Sequence, residues 1–518
     1  MGKRLLLPLF LLFIAIFSVA STLELDYEEG HEVVARIAAH DVQAKSNIIK
    51  ELVDLGFGPE CPKSNQSYVE VKLPEIELMK LQHLASNLTI VEDPTREEFL
   101  RFLESSRSRG KRGERAIDPN DLYKHYHDQN QISNFLDEIV LKCPNIARKY
   151  SIGKTFLGAE LWAIRITDNP EVNEVGEVEF QYIANMHGDE VVGRELSLYF
   201  IYHLCDQYHQ PRIKAIVDNT DIHILPTMNP DGFAGGRRAN GRRKDLNRNF
   251  PDQFDPTTWG RPNPVSPLPP LGTGSGAFVA PVGNFEPEVV AVMQWMGDHN
   301  FALAANYHGG SVVANYPFDG NRQRESGRYA PSPDDLLYRQ LARVYAANSQ
   351  TMSGSREFPS GITNGADWYV LYGGMQDYAY LWHGTLHITV ELSDEKWPAK
   401  ETLISFWNDN RESMLAYLEQ TKYRVWGVVT DCATKAPITV GTVIVEAESC
   451  HSANCRMQAV KLDRETGDYH RIMPRPSATT NYVFTASSSG YAPVSHSVAV
   501  GPSTALPHRL DFCLNKAS

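Results

Sequence analysis

The sequence predicts an α/β protein with a mixed central sheet and helices on both faces, preceded by a small α/β unit and followed by an all-β sandwich. Three observations carry this. Strand and helix patterns alternate from about residue 117 to 420, as in a parallel or mixed sheet with helical crossovers. From Arg424 onward the pattern changes to short period-two strands separated by turn residues. Ahead of both, a shorter strand and helix series ends in the basic tract Arg107-Ser-Arg-Gly-Lys-Arg112. At 518 residues the chain is too long for a single core, which agrees with several units.

The elements follow in chain order. Lys3 and Arg4 precede an apolar run, Leu5 to Val19, broken only by Pro8 and Ser18, with small residues at Ala20 and Ser21. Residues 1–21 are expected to be a secretory signal peptide, which places the protein outside the cell or in the secretory-pathway lumen. No later segment holds 18 uninterrupted apolar residues, so no membrane span is expected. Residues 22–112 form the first unit, with strands at Val33–Ile37, Tyr68–Leu73 and Leu88–Val91. Helical spacing joins Ile48, Leu52 and Leu55, then Leu78, Leu81 and Ala85 after Pro74. Asn65-Gln-Ser67 and Asn87-Leu-Thr89 are glycosylation acceptors, at Asn65 and Asn87.

Residues 113–420 form the main unit, with strands expected at 178–184, 222–226, 302–307 and 386–392. Helices are expected at 190–206, 286–299 and 334–350, and the Pro- and Gly-rich stretch 255–285 reads as a long surface loop. Residues 421–518 form the sandwich, with strands at Val425–Thr430, Thr442–Glu448, Tyr482–Ala486, Val494–Val500 and Leu510–Leu514. Four of the seven cysteines, Cys432, Cys450, Cys455 and Cys513, fall in the last quarter. None lies in a CxxC pair, which argues against a cysteine zinc site and for disulfides, with three pairings open and one thiol left over in the chain. A net charge of −13 argues against nucleic acid as a partner.

Three constellations carry chemistry. In Asn185-Met-His-Gly-Asp-Glu190, between a strand and a helix, His187 and Glu190 are spaced so that one helical turn can present both to one metal. A catalytic zinc needs a third protein ligand, and His308, at the end of an apolar strand in Asn306-Tyr-His-Gly-Gly310, is the candidate. A lone histidine there could equally be a satisfied core residue, and 17 histidines make spacing alone insufficient. In Asp245-Leu-Asn-Arg-Asn-Phe250, Asn247 and Arg248 form a donor-rich pair suited to a carboxylate, with Arg237 and Arg238 upstream. The plain alternative is a salt-bridged surface loop. Glu391 falls late in an otherwise apolar strand, where a carboxylate is either partnered in the core or set in a site mouth.

These residues resemble the zinc metallocarboxypeptidase family, and most of all its regulatory branch of carboxypeptidases N, E, M and D. NMHGDEVVGRE, HILPTMNPDGF, DLNRNFPD, NYHGGSVVANYPFD, ITNGADWY, GGMQDYAYL and ITVEL occur in the family's order, within a likeness that covers roughly residues 117–518. The resemblance implies the zinc carboxypeptidase fold and removal of C-terminal residues from peptides and proteins. It implies one Zn2+ held by His187, Glu190 and His308, with Glu391 as general base. Arg238 would polarise the scissile carbonyl, with Arg237 as the rival for that role; Asn247, Arg248 and Tyr369 would hold the substrate carboxylate. Asp319 and Gln376 would line the pocket for the terminal side chain, and that aspartate goes with Arg or Lys.

The last unit resembles a transthyretin-like domain through Val425-Trp-Gly-Val-Val-Thr-Asp431, Thr466-Gly-Asp-Tyr469 and Ala486-Ser-Ser-Ser-Gly-Tyr491. By its order of elements the first unit resembles the prodomain of carboxypeptidases A and B. Arg109-Gly-Lys-Arg112 matches the pattern cut by secretory convertases, so a zymogen cleaved after Arg112 is expected. Two other readings compete: an inactive peptide-binding relative, and a zinc hydrolase of a different amide. The filled motif positions count against the first and Asp319 against the second.

Overall fold

The computed structural model describes residues 122–255, 285–448 and 456–517, with three strands and a few helical residues between 32 and 91. The expected signal segment, Asn65, Asn87, Arg112, most of the 255–285 stretch, and Cys61, Cys450 and Cys455 lie outside the described residues.

The main unit is built on eight strands: β4 (Ala147–Lys154), β5 (Glu160–Ile166), β6 (Val178–Ala184), β7 (Thr220–Leu225), β8 (Leu303–His308), β9 (Ser311–Tyr316), β10 (Ile362–Asn364) and β11 (Leu386–Ser393). Their order is β10-β9-β11-β8-β6-β7-β5-β4. The four central strands β11, β8, β6 and β7 are mutually parallel, and each is buried at every residue. Burial on both faces is why they read as nearly continuous apolar runs. The sequence expectation had marked these four and not the flanking strands. β4 and β5 add on antiparallel beyond β7, and β9 pairs antiparallel with β11. β4 is an edge strand of sequence ARKYSIGK with only its first residue fully buried, so it carries little apolar signal.

Five long helices cover the sheet: α1 (Gln129–Lys142), α2 (Val192–Asp206), α3 (Pro287–Asp298), α4 (Asp335–Ala347) and α5 (Leu403–Leu418). α1 starts in a capping box. Asp128 Oδ1 accepts from Gln131 N at 2.8 Å and Gln131 Oε1 accepts from Asp128 N at 2.8 Å, so two otherwise unpaired amides are satisfied. α1, α2, α4 and α5 share one core with the face of the sheet that carries Phe180 and Tyr182. α3 packs Val289, Val292 and Trp295 against the other face, beside Ile183 and Leu161. A disulfide between Cys143 and Cys205 joins the carboxyl ends of α1 and α2 across 62 residues. Closing a loop of that length stabilises by roughly 4 kcal/mol.

The C-terminal unit holds β12 (Arg424–Asp431), β13 (Thr442–Ala447), β14 (Val460–Lys461), β15 (Asp468–Ile472), β16 (Thr480–Ser487), β17 (Val494–Val500), β18 (His508–Arg509) and β19 (Phe512–Leu514). They form two four-stranded sheets, one of β15, β12, β18 and β19, the other β14-β13-β16-β17, around their own core. Cys432 and Cys513 form the second disulfide, which settles one of the open pairings. In the N-terminal unit β1 (Glu32–Ala38) lies between β2 (Tyr68–Pro74) and β3 (Leu88–Val91), all antiparallel. Its buried Ile37, Leu52, Val69 and Val71 share a core with Tyr369 and Leu371 of the main unit.

The carboxyl ends of the parallel strands coincide. β6 ends just before Asn185, β8 ends on His308, and Glu391 of β11 pairs in register with His308. Open α/β sheets place their sites at this edge.

Candidate metal and catalytic site

Beyond β6 the chain turns through Asn185, whose φ is +56°. Asparagine tolerates this left-handed conformation because its amide can bond locally. Here Nδ2 donates to the carbonyls of His187 (2.9 Å), Gly188 (3.1 Å) and Glu190 (3.2 Å), while Oδ1 accepts from the Thr227 hydroxyl (2.8 Å). The expectation that a helical turn presents His187 and Glu190 is therefore corrected: α2 begins only at Val192, and both residues sit on a bend wound around the Asn185 amide. The side-chain amide satisfies the carbonyls that a helix would have paired internally. A Cβ on Gly188 would lie 2.1 Å from the Gly232 carbonyl carbon, so this bend packs against residues 229–234 only with glycine there.

Three ligand-type atoms converge. Glu190 Oε2 is 2.8 Å from His187 Nδ1 and 2.9 Å from His308 Nδ1, and the two Nδ1 atoms are 3.1 Å apart. His187 Nε2 faces Asp245 Oδ1 at 3.1 Å, a contact that favours a proton on Nε2 and turns Nδ1 toward the ligand cluster. Burial pushes the His308 imidazole down to about 4, so it is neutral at physiological pH. Burial alone would raise Glu190, but His187 and Lys396 beside it hold the carboxyl well below its usual range. Burial and Arg238 alone would lower the His187 imidazole, but the Glu190 and Asp245 carboxylates raise it, so a bound metal would displace a proton there. Two buried imidazole nitrogens and a buried carboxylate oxygen are the donor set of a catalytic zinc site with one position left open. Ligands about 2.0–2.2 Å from a tetrahedral ion lie about 3.3–3.5 Å apart, so small outward shifts would admit it. The cluster of Glu179, His223 and His299 has comparable spacing. There His299 pairs with Glu179, and Asp221 and Tyr150 face His223, so its charges are already matched.

One cavity gathers most of the candidates: His187, Glu190, His308, Glu391, Arg238, Asn247, Asp319 and Tyr369 line it together with Asn315, Leu371 and Thr389, whereas Arg248 is not on its wall. Arg238 Nη1 contacts Glu190 Oε1 at 3.0 Å and its Nε contacts Asp245 Oδ2 at 3.1 Å. Arg237 is not among the lining residues. Asn247 and Arg248 occupy a 3-10 turn, Leu246–Arg248, capped by Asp245 Oδ1, which accepts from Asn247 N at 2.8 Å. The Arg248 Nε and Nη2 groups are buried without a hydrogen-bond partner among the described residues.

Asp319 is buried. Its Oδ1 accepts from Asn315 Nδ2 (3.0 Å) and from Gln376 Nε2 (2.9 Å). Burial pushes its carboxyl up to about 6, against the pull of Asn315 and Arg248. Gln376 stands behind Asp319 and is not on the cavity wall. Gln376 Oε1 and Asn315 Oδ1 are buried acceptors without a donor among the described residues. Sequence reasoning named none of Asn185, Asp245, Asn315 and Lys396 as site residues. The first three lie inside the quoted motifs, whereas Lys396, 3.3 Å from Glu190, follows β11 outside any of them.

Residues 132–413 match the family description "Zinc carboxypeptidase". The carboxypeptidase N catalytic chain of Rattus norvegicus is 37% identical over 422 residues, covering 76% of this chain and 86% of its own length. Carboxypeptidase SOL1 of Arabidopsis thaliana is 38% identical over 387 residues, covering 74% and 71%. Human carboxypeptidase D is 38% identical over 425 residues, 78% of this chain; the match spans only 28% of that longer protein. Among solved structures, carboxypeptidase A from Helicoverpa armigera aligns with a TM-score of 0.55 at 17% identity, over 75% of this chain and 97% of its own. That likeness shows the fold alone.

Proposed function

The chain belongs to the zinc carboxypeptidase family, and on that premise we propose that it is a secreted zinc metallocarboxypeptidase that removes a single C-terminal residue, with preference for Arg or Lys. One observation carries the reading: a single cavity joins the His187, Glu190 and His308 cluster and Glu391 to the buried carboxylate of Asp319.

His187, Glu190 and His308 would hold the zinc, which would supply Lewis acidity to a carbonyl and to water. Glu391 takes a proton from the attacking water and delivers it to the departing amine. Arg238 donates to the carbonyl oxygen as negative charge develops there. Arg248, with two unpartnered buried donor groups, takes the terminal carboxylate by paired bonds, with Asn247 beside it and Tyr369 closing over it. Only a chain end carries that carboxylate, so cleavage is confined to the last residue. A cationic side chain then meets Asp319, which Gln376 holds in place, and the acceptor oxygen of Asn315, on the cavity wall, suits its N–H groups.

The N-terminal unit is read as an inhibitory prodomain released after Arg112. Its apolar residues share a core with Tyr369 and Leu371, which also line the cavity, and this supports a plug over the site. Two disulfides support an oxidising compartment. The test is metal analysis with chelation. Purified enzyme should hold one zinc per chain, lose peptidase activity on chelation and regain it with zinc. Full activity in the metal-free protein would reject the reading.

A further inference from the structure

The contact between the β-sandwich and the main unit is unusual in its chemistry. Arg471 of β15 and Asp334, the residue preceding α4, form an ion pair with no exposure on either side chain. Asp334 Oδ2 also accepts from the Tyr380 hydroxyl (2.8 Å) and from Gln458 N (3.1 Å) of the sandwich. Gln458 Nε2 in turn donates to the carbonyls of Tyr380 (3.2 Å) and Leu381 (3.0 Å). A Cβ on Gly384 would lie 2.4 Å from the Ala459 carbonyl oxygen, so the sandwich backbone also sits against that turn.

The Tyr380 bond to Asp334 and the Gln458 bonds to the Tyr380 and Leu381 carbonyls all reach one short segment. Met375–Tyr378 is helical and continues directly into the turn Ala379–His383. Gln376, on the first part, holds Asp319 Oδ1 at 2.9 Å. A fully buried ion pair contributes little net stability compared with apolar residues of the same volume; its distinguishing effect is to fix one geometry. Here the geometry fixed is that of the segment presenting Gln376.

We infer that the β-sandwich positions the terminal-residue pocket: Arg471, through Asp334 and Tyr380, and Gln458 directly, hold the 375–383 segment so that Gln376 orients Asp319. This rests on the reading of Asp319 as the partner of a basic terminal side chain. Arg471 and Gln458 are positioning residues and touch no substrate.

The test uses the full chain, expressed whole and then treated with limited trypsin to release the proposed prodomain, assayed on two N-acylated dipeptides, one ending in Arg and one in Phe. Gln458→Ala should raise KM for the Arg dipeptide about tenfold, the scale of one misaligned charge-assisted contact. It should leave kcat within about twofold and zinc content at wild type, with KM for the Phe dipeptide little changed. Arg471→Met should do the same more strongly; if it fails to fold, Gln458→Ala carries the test alone. A merely structural contact would lower Tm and the active fraction but leave KM for Arg unchanged, and that result overturns the inference. Asp319→Ala is the control. If it abolishes the preference for Arg while Gln458→Ala leaves KM unchanged, the pocket stands and the positioning role falls. If Asp319→Ala leaves the preference intact, the pocket reading fails and this inference with it.

Discussion

Replacing Asn185 with alanine tests how the proposed metal-binding bend is built. The side chain is fully buried and makes three bonds to loop carbonyls at 2.9–3.2 Å while accepting one from Thr227 at 2.8 Å. Each buried partner left unsatisfied costs roughly 1–3 kcal/mol, and neighbouring losses are not additive. Holding alanine at the φ of +56° adds about 1–2 kcal/mol. A loss of about 3–5 kcal/mol in stability is therefore expected, the upper range for one substitution. Because the lost bonds fix His187 and Glu190, zinc affinity should fall about 10–100-fold, as when partners of metal ligands are removed. Thermal unfolding and competitive chelator titration measure the two effects separately. Asn185→Gly isolates the bonds, since glycine accepts the positive φ without strain. It should recover about 1–2 kcal/mol of stability and none of the zinc affinity. Wild-type zinc affinity in either variant would refute the claim that this amide organises the ligands.

Other outcomes follow from the same geometry. Glu391→Gln should retain zinc and fold but lose about 10²–10⁴ in turnover, and normal turnover with zinc bound would place the base elsewhere. Asp319→Ala should depress kcat/KM on C-terminal Arg far more than on C-terminal Phe, read from paired assays. Because burial raises the Asp319 carboxyl to about 6, it is neutral below that pH, so KM for Arg substrates should rise as pH falls through 6 while KM for Phe substrates does not. The linked stability has the opposite sign: the folded state holds more protons than the unfolded one between about pH 4 and 6, so Asp319→Asn should stabilise the protein at pH 8 relative to wild type. Arg112→Ala should yield secreted protein of unprocessed length with low activity, rescued by limited trypsin; full activity in the uncut form would exclude inhibition by the attached unit.

The legible parts of the fold were those where burial is two-sided. β6, β7, β8 and β11 announce themselves because every residue is enclosed. β15 did not, and its reason is physical. Its sequence, DYHRI, carries Asp468, His470 and Arg471, which would mark a loop, yet all five residues are buried. Asp468 and Arg471 meet the main unit, where Asp468 accepts from Gly176 N at 2.6 Å and Arg471 pairs with Asp334, while His470 is enclosed by Arg424 and Trp426 of β12. The candidate site residues stood in motifs that the family resemblance picks out, and the structure gathers His187, Glu190, His308, Arg238, Asn247, Asp319, Tyr369 and Glu391 around one cavity. Their supports were less legible. Asn185 acts through a left-handed turn, and Lys396 reaches Glu190 from a loop with no periodicity. The packing of Tyr369 against the N-terminal unit depends on a contact between distant segments that no local pattern encodes.

The central claim is that one cavity reads a free carboxylate, a basic side chain and the bond between them. It is tested most directly by incubating the processed enzyme with peptides identical except for the last residue and following the products by mass spectrometry. The account predicts loss of a single residue, fastest from peptides ending in Arg or Lys, and none from C-terminally amidated peptides, which lack the anion that Arg248 would bind. Cleavage at internal bonds, equal turnover of amidated peptides, or a preference for Phe over Arg would contradict it.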